Sequence, residues 1–147
     1  MRGGAAWLPE QRRAQASLPL SDPLYAKAAA PVSDAQIIRV CSSDYQAATG
    51  QPCEDIARDQ HVTQGDHGGV TFWVTTQVLG YADGMVYLTA DGAPLEMIQS
   101  TSITQDDSVV GFTYVWDASG LEGGKFRFQA TSENLPRVTK YDDLTIK

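Results

Sequence analysis

Histidine, cysteine and paired aspartate are the residue types in this chain whose spacing could support chemistry. His61 and His67 flank Asp66 in the run His61-Val62-Thr63-Gln64-Gly65-Asp66-His67. A neutral imidazole can ligate zinc or take a proton, and a carboxylate beside it can orient the ring. The spacing matches no zinc motif, and Gly65-Asp66-His67-Gly68-Gly69 has the composition of a solvated turn. Ser42-Ser43 and Ser119-Gly120 supply hydroxyls, yet no Gly-x-Ser-x-Gly elbow exists and no motif marks a Ser, His and Asp set. Phosphate-binding glycine patterns are missing too. These residues point away from an enzyme, with no catalytic residue to assign.

Aspartates recur at turn positions: Asp83, Asp91, Asp106, Asp107, Asp117, Asp142 and Asp143. Calcium would need several such oxygens converging at one end of the fold, and Asp106-Asp107 and Asp142-Asp143 are the best pairs for it. Aspartate also favours turns through local backbone hydrogen bonds, without any ion. The expectation is therefore no metal and no cofactor. Cys41 and Cys53 enclose a short segment containing Gly50 and Pro52. A disulfide there would stabilise the fold by up to about 3 kcal/mol in the chain-entropy picture. The alternative is a pair of reduced thiols, and the spacing does not fit a zinc-binding cysteine pair.

These groups need elements to position them. Val70 to Leu79 alternates, with Val70, Phe72, Val74, Thr76 and Val78 on one face and Thr71, Trp73, Thr75, Gln77 and Leu79 on the other. Strands are also expected over residues 36–41, 85–89, 95–100, 109–116, 125–130 and 140–146, with a tight turn at Asp91-Gly92. One helical turn is expected around residues 54–58, inside an otherwise irregular stretch from 41 to 60. Phe112, Tyr114 and Trp116 alternate along one strand, and Phe126 and Phe128 along the next. Phe72, Val74, Val86, Phe126 and Phe128 are the expected core. Trp73 and Tyr87 fall on the opposite faces of their strands, where an exposed ring can stack on a sugar or pack against a protein. Short strands at this spacing, without an amphipathic helix, predict an all-β sandwich of about seven strands over residues 36–147.

Residues 1–35 differ in texture. They hold Pro9, Pro19, Pro23 and Pro31, four of the seven prolines, which excludes long helices and strands. The segment reads as a Pro/Ala-rich extended arm. Its apolar residues Trp7, Leu18, Leu20, Leu24 and Tyr25 are more than an idle linker carries, so they are expected to bind a partner.

The formal net charge of −7 argues against a nucleic-acid binder, and Arg12-Arg13 is the only adjacent basic pair. No apolar run is long enough to enter a membrane as a helix. No apolar leader follows Met1, so either the chain is used without secretion or a leader has been removed.

Residues 70–131 resemble bacterial and phage immunoglobulin-like repeats of the surface-protein type. The matching pieces are Val70-Thr71-Phe72-Trp73-Val74, Gly84-Met85-Val86-Tyr87-Leu88, Asp91-Gly92-Ala93-Pro94-Leu95 and Gly120-Leu121-Glu122-Gly123-Gly124-Lys125-Phe126-Arg127-Phe128. Cys41, Cys53 and the stretch between them depart from that pattern. The resemblance implies an immunoglobulin-like β-sandwich in a structural or adhesive role. Joined to the arm, it gives an expected virion component, such as a capsid decoration or tail-associated protein, whose partners are shell or filament subunits or further copies of itself. The alternative expectation is a carbohydrate-binding or adhesion module of a bacterial envelope protein, taking a surface glycan. The expected location is thus the virion surface, the cell envelope or the extracellular space.

Overall fold

The computed structural model describes residues 30–82, 85–132 and 137–147. Trp7, Leu18, Leu20, Leu24 and Tyr25 lie outside the described residues. The elements run β1 (Asp34–Ser42), α1 (Ser43–Thr49), β2 (Cys53–Asp55), β3 (Phe72–Leu79), β4 (Val86–Ala90), β5 (Ala93–Pro94), β6 (Glu96–Gln105), β7 (Ser108–Asp117), β8 (Gly124–Thr131) and β9 (Thr139–Ile146). They form two antiparallel sheets, ordered β2-β1-β3-β7-β6 and β5-β4-β8-β9. The architecture is an all-β sandwich.

Period-two alternation builds the core between the sheets. Phe72, Val74, Thr76 and Val78 of β3 are fully buried, as are Leu88 of β4 and Phe128 of β8. All five residues expected in the core are buried, with Val86 the most exposed at 8%. Thr76 is a polar residue in this layer, and the indole N–H of Trp116 donates to its hydroxyl at 2.9 Å. That bond satisfies two groups that would otherwise be costly to bury. Aromatic rings link the layers, with Phe72 and Phe126 centroids 5.8 Å apart and Trp116 and Phe128 6.1 Å apart.

Turn chemistry follows the sequence in two places. Asp91 and Gly92 both have positive φ between β4 and β5, and Asp106 and Asp107 both do between β6 and β7. Tight hairpins need that conformation, and aspartate and glycine tolerate it best.

Two expectations change. Among the described residues, seven strands of five or more residues are joined by two very short ones, β2 and β5. The helical turn expected at residues 54–58 is displaced: the helix is Ser43–Thr49, and Cys53–Asp55 is a strand. Ser42 caps the helix by accepting the Tyr45 N–H, Asp44 sits in its first turn, and Gly50 ends it in the left-handed conformation. These are ordinary helix signals, and here they outweigh the Glu54 to Arg58 composition.

Candidate functional site

Two groups of polar residues stand out, one inside the molecule and one on its surface. The inner group closes one end of the sandwich. Ser42 ends β1 facing inward, opposite Phe72 in the β1–β3 register. Glu54 lies on β2, and His67 comes from the long connection before β3. Cys41 and Cys53 pair in register and are joined by a disulfide, Cys41 directly preceding Ser42 and Cys53 directly preceding Glu54. His67 Nδ1 is 2.9 Å from Ser42 Oγ, and His67 Nε2 is 3.0 Å from Glu54 Oε1. The imidazole stacks on Tyr45 at 4.5 Å and faces Phe72 at 6.2 Å.

One neutral tautomer satisfies every partner. A carboxylate only accepts, so His67 Nε2–H donates to Glu54, and Nδ1 accepts the Ser42 hydroxyl proton. Ser42 Oγ in turn accepts the Tyr45 N–H at 3.1 Å. Glu54 also accepts the backbone N–H groups of Gln64 and Gly65, at 2.7 and 3.1 Å. Burial pushes the His67 pKa below its ordinary 6.5, against the pull of Glu54. Protonating Nδ1 would also deprive the Ser42 hydroxyl of its acceptor. For Glu54, burial pushes upward, but hydrogen bonds from Gln64, His67 and Gly65 together hold it below its ordinary value.

Ser42, His67 and Glu54 follow the order of a Ser-His-acid triad. A nucleophile must meet its substrate, however, and Ser42 has no solvent exposure, as has the His67 side chain. Its hydroxyl is also occupied as the helix cap. The group acts here as a clasp: it ties the segment before β3 to the end of the sandwich.

The outer group lies on the solvent face of the four-stranded sheet. Register places Tyr87 beside Gln129 and Gln129 beside Tyr141 in one row across β4, β8 and β9. The next row is Thr89, Arg127 and Asp143, followed by Lys125 and Thr145. Tyr87 is 49% and Tyr141 55% exposed. Arg127 forms a two-bonded ion pair with Asp143, at 2.7 and 3.0 Å, and its guanidinium lies 4.9 Å above the Tyr141 ring. The pairing holds the Arg127 pKa above and the Asp143 pKa below their ordinary values. Asp91 accepts the Lys125 N–H at 2.9 Å and fixes the end of the row. Beyond β9, residues 61–63 continue the sheet: Thr63 N–H donates to Thr145 O, and Thr145 N–H donates to His61 O, both at 2.9 Å. The result is a groove of about 650 Å3 lined by His61, Thr89, Asp91, Lys125, Arg127 and Asp143, among others.

The residues singled out in the sequence are dispersed by the fold. Trp73 and Tyr87 lie on the outer faces of opposite sheets, so no one ligand of ordinary size spans them. Trp73 is half-buried opposite Cys41, whereas Tyr87 heads the exposed row. His61 borders the groove and His67 is enclosed in the clasp. Asp142 points inward and accepts the Ile37 N–H at 2.7 Å, while Asp143 points outward to Arg127, so this pair does not converge on an ion. Among the described residues no group of three or more His, Cys, Asp or Glu side chains is placed to hold a metal. Arg127 and Tyr141 join the site unannounced, and Asp143 joins it as the partner of Arg127 and not as half of a calcium pair. The alternation of residues 125–130 turns Arg127 outward, but only the β8–β9 register brings Tyr141 and Asp143 beside it.

No curated protein matches the chain. Residues 22–146 match the family described as Domain of unknown function (DUF4879). With most of its length covered by that match, the chain belongs to the DUF4879 family.

Proposed function

We propose that the protein is a non-catalytic recognition module that binds saccharide on the outer face of its four-stranded sheet. The observation that carries this reading is the row Tyr87-Gln129-Tyr141, with both rings exposed, beside a groove of paired charges and hydroxyls. A pyranose has apolar C–H faces and hydroxyl edges. Tyrosine rings take the faces, and Arg127, Asp143, Gln129 and Thr89 offer fixed donors and acceptors to the edges. Adjacent strands are about 4.8 Å apart, so the tyrosines stand roughly 10 Å apart, enough for more than one linked sugar. Solvent-exposed ion pairs contribute little to folding. Orienting Arg127 over Tyr141 is better accounted for by recognition than by stability.

Burial of Ser42 supports the non-catalytic part of the reading. The disulfide supports an extracellular or envelope setting, because such bridges persist in oxidising compartments. An immunoglobulin-like type of sandwich, which residues 70–131 resemble, suits a presented adhesive domain. The virion-assembly expectation rests on the arm and gains no support from the described residues. A glycan array followed by calorimetry on the best saccharide tests the reading. Binding that falls at least tenfold in both Tyr87→Ala and Tyr141→Ala is expected. No saccharide binding, or binding indifferent to both substitutions, overturns it.

A further inference from the structure

We infer that the Cys41–Cys53 disulfide is a redox control on the groove: reduction loosens residues 60–67 and removes the His61 wall. The groove's role as a ligand site rests on the saccharide reading, whereas the release of the segment does not. Each sulfur is next in sequence to one arm of the clasp. Cys41 precedes Ser42, which holds His67 Nδ1, and Cys53 precedes Glu54, which holds His67 Nε2. Glu54 also takes the Gln64 and Gly65 N–H groups and the Gln60 side-chain amide. That segment then hands its order to the groove, through Thr63 and His61 bonded to Thr145 and through the Lys147 N–H donating to the Thr63 hydroxyl.

The strand that presents Glu54 lies at the edge of its sheet, with a further backbone bond to β1 at each end, Ser42 N–H to Pro52 O at 3.1 Å and Ile56 N–H to Ile38 O at 2.9 Å. β2 is an edge strand of three residues, paired only with β1 among the described residues. Its Arg39–Asp55 ion pair is largely exposed, and exposed pairs hold little. Two equivalents of a small thiol reduce the bridge, giving Cys41–SH, Cys53–SH and the reductant's disulfide, with two electrons and two protons transferred. The sulfurs are then non-bonded and must separate. Cys41 is fully buried and Cys53 only half-buried, so the movement falls on β2 and carries Glu54 away from His67.

Hydrogen exchange on the full chain, oxidised and after treatment with dithiothreitol, tests this. Amides of residues 60–67 should exchange at least tenfold faster after reduction, while β7 and β8 amides keep their protection. In the oxidised protein, Glu54→Gln should release the same amides with the bridge intact. Unchanged protection of 60–67 in either case overturns the inference. So does general loss of protection in β7 and β8, because control of one segment requires the sandwich to survive. The affinity for the array-selected oligosaccharide should fall at least threefold on reduction. Release of the segment with unchanged affinity overturns the control while leaving the groove reading intact. Absence of binding in both states overturns the groove reading, and the control with it, leaving the exchange data to decide only whether the segment is locked.

Discussion

The clasp and the groove use similar residues to opposite ends. Each contains a histidine, a carboxylate and a hydroxyl, and each lies near the same end of the fold. In the clasp, Ser42, His67 and Glu54 are buried and spend their hydrogen-bonding capacity on one another and on backbone N–H groups. In the groove, Arg127, Asp143, Lys125 and Thr89 stand on a solvated sheet face with capacity to spare. Residue type therefore does not distinguish a site that stabilises from a site that binds. Burial and saturation do.

Substitutions that break this contrast should differ in kind. The largest effect is expected for Glu54→Ala, which leaves the His67 Nε2–H and the Gln64 and Gly65 N–H groups without their acceptor. Each buried donor left unsatisfied costs about 1–3 kcal/mol. Urea unfolding should show that loss, and a change below about 1 kcal/mol would mean that water replaces the carboxylate and the clasp is not closed.

Ser42→Ala should cost less, about 1–2 kcal/mol, from loss of the helix cap and of the proton donor to His67. Thermal unfolding measures it. The wild-type hydroxyl should also remain unlabelled by a fluorophosphonate. Labelling at Ser42 would show that the end of the sandwich opens and would return the triad order to a catalytic role.

The clasp should also sharpen the contrast through pH. The folded state holds His67 neutral below its ordinary 6.5, so the unfolded chain binds the extra proton first as pH falls. Stability is then fully present above about 6.5 and declines as pH drops through that value toward the lowered one. Glu54, also lowered, contributes stability above its ordinary 4.5 that is lost as pH falls through its folded value. Asp142 works in the opposite sense, because burial raises its pKa and its ionisation with rising pH is disfavoured in the folded state. Denaturation free energies between pH 7 and 5 should fall in the wild type and stay flat in His67→Gln. An equal slope in both would remove His67 as the cause.

The smallest effect on stability belongs to the groove. Tyr141→Ala and Asp143→Ala should leave the unfolding midpoint within error of the wild type, since these side chains lie on the exposed face. A large drop in either would mean that this row holds the sheet together and is not held in reserve for a ligand.

Much of the framework was legible because its signals are local. Alternation in residues 72–79 and 125–130 sorts inward from outward residues, although Val70, read onto the inward face, is 87% exposed ahead of β3 and Thr75 on the outward face is buried; Asp91-Gly92 marks its turn. The clasp was not legible, because Ser42, Glu54 and His67 are far apart in sequence and meet only through the β1–β2 pairing and the return of a long connection. The sequence names His67 and the two cysteines as separate curiosities. The groove was half legible: Tyr87 and the outward turn of Arg127 follow from period two, but Tyr141 and Asp143 depend on a cross-strand register that no short motif encodes. The misplaced helix has a simpler cause. Ser42, Asp44 and Gly50 were available as capping signals, and the polar texture of the stretch hid them.

On the saccharide reading proposed above, the solvent face of β4, β8 and β9 is the binding surface. Amide and aromatic chemical shifts recorded while titrating the oxidised protein with an array-selected oligosaccharide test it most directly. Saturable shifts are expected at Tyr87, Arg127, Gln129, Tyr141 and Asp143, with little change at Ser42, His67 or Trp73. Shifts centred on Trp73 and the five-stranded sheet, or at Ser42 and His67, would contradict it.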